Sequence, residues 1–330
     1  MTTLVTGATG FIGSAVARTL AARGHDLRLL TRSTSDRRNL AGLDAEVVTG
    51  DLTDPDSLVR AAAGCRYVFH LAADYRIWVP DPDAMLRANV DGAVAMVRAA
   101  AQAGAERIIH CSSVAALGQI GDGTLADEAT PIKEADFVGI YKRSKYLAEK
   151  AVLDLARRES LPVVVVNPAA PVGPRDLKPT PTGKMILDAA AGRVPAYIDT
   201  GLNIVHVDDV AEGHVLALEK GRVGERYILG GENMLLKDIL GLVADVVHRR
   251  PPFIRLPEAV VWPAAFVMEH LAKFTGIPPL MTRDHLKMAR KKMFYSSAKA
   301  TAELGYQPRP ARLAVEDAVA WFRANGMLPA

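Results

Sequence analysis

The sequence predicts an α/β fold, a doubly wound parallel sheet joined to a smaller, mostly helical second part. Two observations carry that expectation. From Met1 to about Pro168, short β-type runs alternate with apolar-periodic helical stretches, the rhythm of a parallel sheet covered on both faces. After Pro168 the rhythm breaks and proline and glycine cluster at 168–174 and 179–183, as in loops that leave a sheet and shape a pocket. The expected division is 1–168 for the sheet domain and 169–330 for the second, with 203–218 returning to the first.

The first element is organised around LVTGATGFIG. An apolar run, Leu4-Val5-Thr6, meets Gly7, Gly10 and Gly13, and an apolar-periodic helix begins at Phe11. Gly7 permits a tight turn, Gly10 lets backbone approach a pyrophosphate, and Gly13 lets helix and strand pack closely. Free N–H groups and the positive end of the helix dipole then face the phosphates. Gly7, Thr9, Gly10, Phe11, Ile12 and Gly13 therefore form a candidate dinucleotide cradle; a plain βαβ turn is the competing reading.

The other strands are expected at 26–31, 45–49, 67–71, 107–111 and 162–167. Helices fill the gaps at 11–22, 55–63 with Asp54 as cap and Pro55 in the first turn, 83–103, and 141–159. Later come a strand at 203–207, a helix at 209–218, and helices at 235–248, 259–274, 282–292, 298–304 and 311–325.

Composition narrows the function. A formal net charge of +3 over 330 residues gives no argument for nucleic acid. Cys65 and Cys111 stand in no ligand spacing, so neither a disulfide framework nor a metal site is expected. The N-terminus carries no signal-peptide pattern, and the apolar run 259–268 is interrupted by Pro263 and too short to span a membrane. A reducing cytoplasm is the expected compartment.

The end of the second strand decides which dinucleotide is held. An acidic residue there would bind the ribose 2′-hydroxyl, whereas arginine accommodates a 2′-phosphate. Arg32 occupies that place, with Arg37 and Arg38 nearby, so NADP(H) is favoured over NAD(H). For Arg37 and Arg38 a solvated basic loop competes with that reading. Asp51 and Leu52 follow the third strand and Leu71, Ala72 and Ala73 close the fourth, both at the strand ends where such sheets bind ligands. Asp51 could accept from the adenine amino group or simply start the turn 51–54. His70 reads as a packed strand residue.

Tyr141 and Lys145 lie four apart at the start of a helix, so both project from one face. A lysine cation beside a tyrosine hydroxyl is expected to lower its pKa, making it a proton donor or acceptor near neutral pH. Ser112-Ser113, after the fifth strand, can present a hydroxyl over the same cleft.

These pieces together resemble an extended short-chain dehydrogenase/reductase of the NAD-dependent epimerase/dehydratase group. The matching stretches are TGATGFIG at 6–13, GDL at 50–52, HLAA at 70–73, Asn89 before Val90-Asp91-Gly92, SSVAALG at 112–118, YKRSK at 141–145 and NPAAPVGPRD at 167–176. The resemblance implies that Tyr141 is the acid/base, that Lys145 holds the nicotinamide ribose, and that Ser113, by register from Gly118, orients the substrate oxygen. It places Asn89 and Pro168 at the cofactor. A finer resemblance, to hopanoid-associated sugar epimerases and dihydroflavonol-4-reductase-like proteins, rests on 30–52, HLAADYRIWVPDP at 70–82 and FYSSAKATAELGYQPRP at 294–310. Dehydratases resembling the group carry acidic residues where this chain has Val114 and Ala115, which disfavours dehydration.

The expected activity is NADP(H)-dependent hydride transfer to or from a carbonyl or carbinol carbon. A sugar epimerase and a non-catalytic dinucleotide-binding scaffold are the alternatives. The expected partners are a small-molecule or lipid-linked substrate, at a mouth that Tyr75, Arg76 and Trp78 would line unless they form an exposed aromatic loop, and a second copy of the chain meeting helices 83–103 and 141–159, whose Ala and Val content burial inside the monomer explains equally well. Weak contact with the inner membrane surface would use the apolar run 259–268 beside a basic face of Arg283, Lys287, Arg290 and Lys291; the competing reading is an apolar helix that roofs the second part beside a solvated basic helix.

Overall fold

A computed structural model describes residues 2–76, 79, 81–133, 137, 139–257, 262–263 and 291–329. Trp78, and the expected helices 259–274 and 282–292 apart from 262–263 and 291–292, lie outside the described residues, and with them the proposed membrane-facing segment.

In chain order the first part contributes β1 (Thr2–Thr6), α1 (Phe11–Ala22), β2 (Asp26–Thr31), β3 (Glu46–Thr49), α2 (Pro55–Ala62), β4 (Tyr67–His70), α3 (Pro82–Leu86), α4 (Gly92–Gln102), β5 (Arg107–Cys111), α5 (Gly139–Glu159) and β6 (Val163–Pro168). The remainder contributes β7 (Ala170–Val172), α6 (Pro181–Ala190), β8 (Ala196–Tyr197), β9 (Gly201–His206), α7 (Val207–Lys220), β10 (Arg226–Leu229), β11 (Glu232–Leu235), α8 (Leu236–Val246), β12 (Ile254–Arg255), α9 (Ala298–Leu304) and α10 (Ala311–Ala324).

The central sheet has seven parallel strands in the order β10-β6-β5-β4-β1-β2-β3, a Rossmann arrangement in which the order reverses beside β1. Because both faces are covered, its strands read as unbroken apolar runs; β6 is buried along its whole length. One face packs Val5, Leu29, Phe69 and Val164 under α1 and α7, and the other packs Leu4, Val68, Ile108 and Val165 under α2, α4 and α5.

The expected return of 203–218 to this sheet is met by its helix and not by its strand. α7 covers the sheet beside α1, but β9 pairs with β7 and β11 in a separate three-stranded sheet. The seventh strand is instead β10, whose buried Tyr227, Ile228 and Leu229 form a run too short to carry a periodic signal. A second correction concerns the helix expected at 83–103. It is interrupted by a π-helical turn, Arg87–Asp91, between α3 and α4. Such turns are frequent at functional sites, and this one carries Asn89. Among the described residues no helix is long and apolar enough to cross a membrane.

Candidate active site

The site is built at the C-terminal end of the sheet, starting from the glycine turn. Gly7 has φ +75°, and a Cβ there would stand 2.7 Å from the backbone nitrogen of Ala72. At Gly13 a Cβ would stand 2.1 Å from the Gly7 carbonyl oxygen, so the helix reaches the turn only because both residues lack side chains. The Gly10 N–H donates to the Gly7 carbonyl at 2.9 Å, and no side chain caps the N-terminus of α1. Phe11 packs into the core with its side chain and Ile12 leans on it, which leaves their backbone at the helix start. Narrow, uncapped and positive, this turn fits a pyrophosphate.

Thr6 fastens the neighbouring strand end. Its Oγ1 accepts from the N–H groups of Leu71 at 3.2 Å and Ala72 at 3.1 Å, and lies 2.9 Å from His70 Nδ1. Leu71, Ala72 and Ala73 are thereby brought over the glycine turn. His70 is the packed strand residue expected: its ring lies 5.3 Å from that of His110, and burial with the nearby Lys145 charge holds it down to about 3. Asn89 is buried, and its amide is taken by protein partners. It accepts from the Asp74 N–H at 2.7 Å and donates to the Asp74 carbonyl at 2.8 Å and to Ser144 Oγ at 3.0 Å. In this geometry its side chain holds the loop after β4 against α5. Pro168 is buried at the end of β6.

At the end of β2 the three arginines divide. Arg38 grips Asp36 through two nitrogens, and that pairing holds the Asp36 carboxyl down to about 2. Arg37 reaches back to Thr31 Oγ1 at 3.4 Å, and the exposed Arg32 guanidinium makes no ion pair with a described carboxylate. Neither Arg32 nor Arg37 is thus paired with a described carboxylate, while Asp36 of the same loop is paired with Arg38. Asp51 Oδ1 accepts from the N–H and hydroxyl of Thr53, the turn-forming contact, and these bonds hold its carboxyl below the usual range, with a smaller push from Arg32. Leu52 packs against Gly92, where a Cβ would stand 2.8 Å from its own.

The chemistry-bearing groups converge above β5. Ser113 follows β5 and its Oγ accepts from the Ala115 N–H at 3.1 Å, opening a short 3-10 turn, Val114–Ala116. Its hydroxyl is also close enough to the Tyr141 phenol to favour the phenol's ionised form. Lys145, one turn along α5, is buried and donates from Nζ to the Cys111 carbonyl at 3.1 Å. The expected lowering of the tyrosine by the lysine is not what this geometry produces. Burial pushes the Tyr141 phenol above its ordinary value, the Ser113 hydroxyl offsets this in part, and burial also lowers Lys145.

Sequence reasoning missed five residues around these groups and the glycine turn. Asn167 Nδ2 donates to the Ser113 carbonyl at 3.0 Å and to Glu149 Oε2 at 2.6 Å, and Glu149 Oε1 accepts from Arg226 at 2.9 Å. Tyr295 donates to the Val114 carbonyl at 3.3 Å, and Asn39 ties the glycine turn to the loop after β7. The i+4 spacing of Tyr141, Lys145 and Glu149 was the one available signal; the contacts themselves join parts of the chain that are distant in sequence.

A glycine-turn parallel sheet with a Ser-Tyr-Lys group above it defines a dinucleotide-dependent enzyme of the extended short-chain dehydrogenase/reductase type. The chain belongs to the NAD dependent epimerase/dehydratase family, which matches residues 3–230. It is 40% identical to a putative dihydroflavonol 4-reductase of Synechocystis, over 98% of this chain and 94% of that protein. It is 34% identical to sterol demethylase protein B of Methylococcus capsulatus, over 99% and 100%. Among solved structures, that of gox2253 superposes with a TM-score of 0.90 at 59% identity, covering 99% of each chain. PA4631, a nucleoside-diphosphate-sugar epimerase from Pseudomonas aeruginosa, gives 0.78 at 27%, again covering 99% of each chain. The protein is therefore an enzyme of the oxidoreductase and epimerase class of this family, and the non-catalytic scaffold reading is set aside.

Proposed function

We propose that the protein is an NADP(H)-dependent reductase of a hydrophobic carbonyl compound. The observation that carries this reading is the pair of guanidinium groups, Arg32 and Arg37, that stand at the end of β2 without a described carboxylate partner, beside an Asp36 paired with Arg38. The glycine turn would hold the pyrophosphate, Arg32 and Arg37 the 2′-phosphate, and Lys145 the nicotinamide ribose. When bound, the nicotinamide supplies or accepts the hydride.

The chain's own residues then handle the oxygen. Ser113 orients it, and Tyr141 moves the proton. Burial keeps the Tyr141 phenol protonated at neutral pH, so the resting side chain is a proton donor, the state that carbonyl reduction requires. Val114 and Ala115 offer no acid for loss of water. The substrate belongs to the class of small or lipid-linked compounds, and the hopanoid resemblance favours a polycyclic lipid side chain. The enzyme would work in the cytoplasm, with weak contact to the inner membrane surface through the segment beyond residue 257. It would also work as a homodimer, meeting a second copy over the cleft between Leu86, Val90 and Leu147.

The second reading, a sugar epimerase, is favoured by the likeness to PA4631. An epimerase returns the hydride to its substrate and keeps its nucleotide, whereas a reductase consumes NADPH. Fluorescence titration with NADPH and NADH, and a screen of aromatic and polycyclic ketones for NADPH oxidation, test the proposal. NADPH is expected to bind about tenfold or more tightly than NADH, with Arg32→Asp erasing the difference. Equal affinities in the wild type, or tightly retained NAD with no NADPH consumption, would remove it.

A further inference from the structure

The motif FYSSAKA near the C-terminus has no role in the reading above, and its tyrosine points at the site. Residues 293–297 thread between the loop after Ser113 and the small sheet. Met293 bridges to Leu202 and Tyr295 to Ala126, and the Ala126 N–H donates to the Phe294 carbonyl at 3.0 Å. Two asparagines fix the backbone of Tyr295. Asn233 Oδ1 accepts from its N–H at 3.0 Å, and its carbonyl accepts from Asn233 Nδ2 at 2.9 Å and Asn203 Nδ2 at 3.3 Å. With its backbone held on both sides and its side chain buried, the ring direction is determined.

The hydroxyl at the end of that ring donates to the Val114 carbonyl at 3.3 Å and accepts from Gln119 Nε2 at 3.0 Å. Gln119 Oε1 in turn accepts from Lys142 Nζ at 3.1 Å, the residue next to Tyr141. Val114 is the first residue of the 3-10 turn that Ser113 opens, and its carbonyl also accepts from the Leu117 N–H at 3.0 Å. On the other side Asn167 holds the carbonyl of Ser113 itself at 3.0 Å. The carbonyls of Ser113 and Val114 are thus held by two different parts of the chain, one by Asn167 of the central sheet and the other by a segment about 180 residues further along.

We propose that Tyr295 is a positioning residue for Ser113: its hydroxyl fixes the Val114 carbonyl, and so sets the orientation in which the Ser113 hydroxyl meets the Tyr141 phenol. This gives the C-terminal segment a part in the active site without touching substrate. The role of Ser113 rests on the reductase reading; the contact between Ser113 and Tyr141 does not.

The test reads the Tyr141 phenol directly, in full-length protein with no substrate. Tyrosine labelled with 13C at Cζ gives one resonance per tyrosine, and Tyr141→Phe assigns the one in question. Ser113→Ala and Tyr295→Phe are both expected to displace that resonance in the same direction, and Tyr295→Phe in a Ser113→Ala background to displace it no further. In turnover on any ketone found by the NADPH screen, Tyr295→Phe should lower kcat about tenfold while nucleotide affinity stays within about twofold. Gln119→Met, which keeps the tyrosine ring and removes one partner of its hydroxyl, should give a smaller displacement of the same sign, and serves if Tyr295→Phe does not fold. A resonance that moves in Ser113→Ala but in neither Tyr295→Phe nor Gln119→Met would overturn the proposal. So would displacements that simply add in the double variant, or no movement in Ser113→Ala itself. Failure of the ketone screen alone would count against the reductase reading and leave the resonance result standing.

Discussion

Asn39 holds Arg175 by its carbonyl at 3.1 Å, and the same amide nitrogen donates to the Thr9 carbonyl at 3.2 Å. Arg175 has φ +75°, a left-handed conformation that costs a non-glycine residue about 1–2 kcal/mol. One buried side chain therefore keeps the glycine turn in register with the loop leading away from β7. Asn39→Asp should do more harm than Asn39→Ala, because a carboxylate would face two carbonyl oxygens with no proton to offer. We expect about 1–3 kcal/mol of destabilisation for the aspartate variant and weaker nucleotide binding in both. Urea unfolding and fluorescence titration measure the two effects; an aspartate variant as stable as the alanine one would contradict this account.

Two glycines that look alike in sequence should behave differently. Gly13→Ala places a methyl 2.1 Å from the Gly7 carbonyl oxygen, a backbone atom that cannot move without opening the turn. Gly24 has φ +78° with nothing within 4 Å of an added Cβ, so Gly24→Ala strains only its own backbone. The expectation is a loss on the order of 1–3 kcal/mol together with most nucleotide affinity for Gly13→Ala, against about 1 kcal/mol and unchanged affinity for Gly24→Ala. Calorimetric titration with NADPH separates them.

Tyr141→Phe removes the phenol but keeps the ring, so nucleotide affinity should stay within about twofold while turnover falls on the order of 10²-fold or more. Lys145→Ala should lower both, since its ammonium, buried at the Cys111 carbonyl, also lies where the nicotinamide ribose is proposed to bind. Full turnover by Tyr141→Phe would refute the proton-transfer role.

What the sequence disclosed and what it hid follow from the range of the interactions. The glycine turn, β1 to β6, and the Tyr141-Lys145 pair were legible because each is written in neighbouring residues: a strand, a turn, a helix face. β10 escaped notice because three buried residues give no period, and β9 was assigned to the wrong sheet because a β-strand followed by a helix looks the same whichever sheet it joins. The π turn around Asn89 depends on contacts with Asp74 and Ser144, and the grip of Tyr295 on Val114 crosses most of the chain; neither leaves a local pattern. The raised phenol of Tyr141 was misjudged for a related reason. Spacing places the lysine on the right face, but only the packed structure shows its ammonium turned to the Cys111 carbonyl and the phenol dominated by burial.

Asp176 should make stability depend on pH. It is 2% exposed, its Oδ2 accepts from the Thr180 N–H at 2.9 Å and the Thr180 hydroxyl at 2.8 Å, and burial outweighs these bonds and lifts its carboxyl from 3.8 to about 6. The folded protein therefore holds this proton more tightly than the unfolded chain does. The resulting stabilisation is fully present below about 3.8 and is lost as the pH rises through about 6. Its size is of the order of 3 kcal/mol. An asparagine in place of the acid would still accept both Thr180 bonds through its amide oxygen, and would carry no charge at any pH. Other groups contribute to the slope over this range, because burial holds His70, His110 and His214 below the values they have in the unfolded chain, so the slope of the wild type alone is not diagnostic. The difference between Asp176→Asn and wild type isolates the effect. The variant should match the wild type near pH 4 and exceed it by a few degrees in Tm near pH 8. A Tm difference that stays constant from pH 4 to pH 8 would mean that Asp176 ionises in the folded protein as it does in the unfolded one.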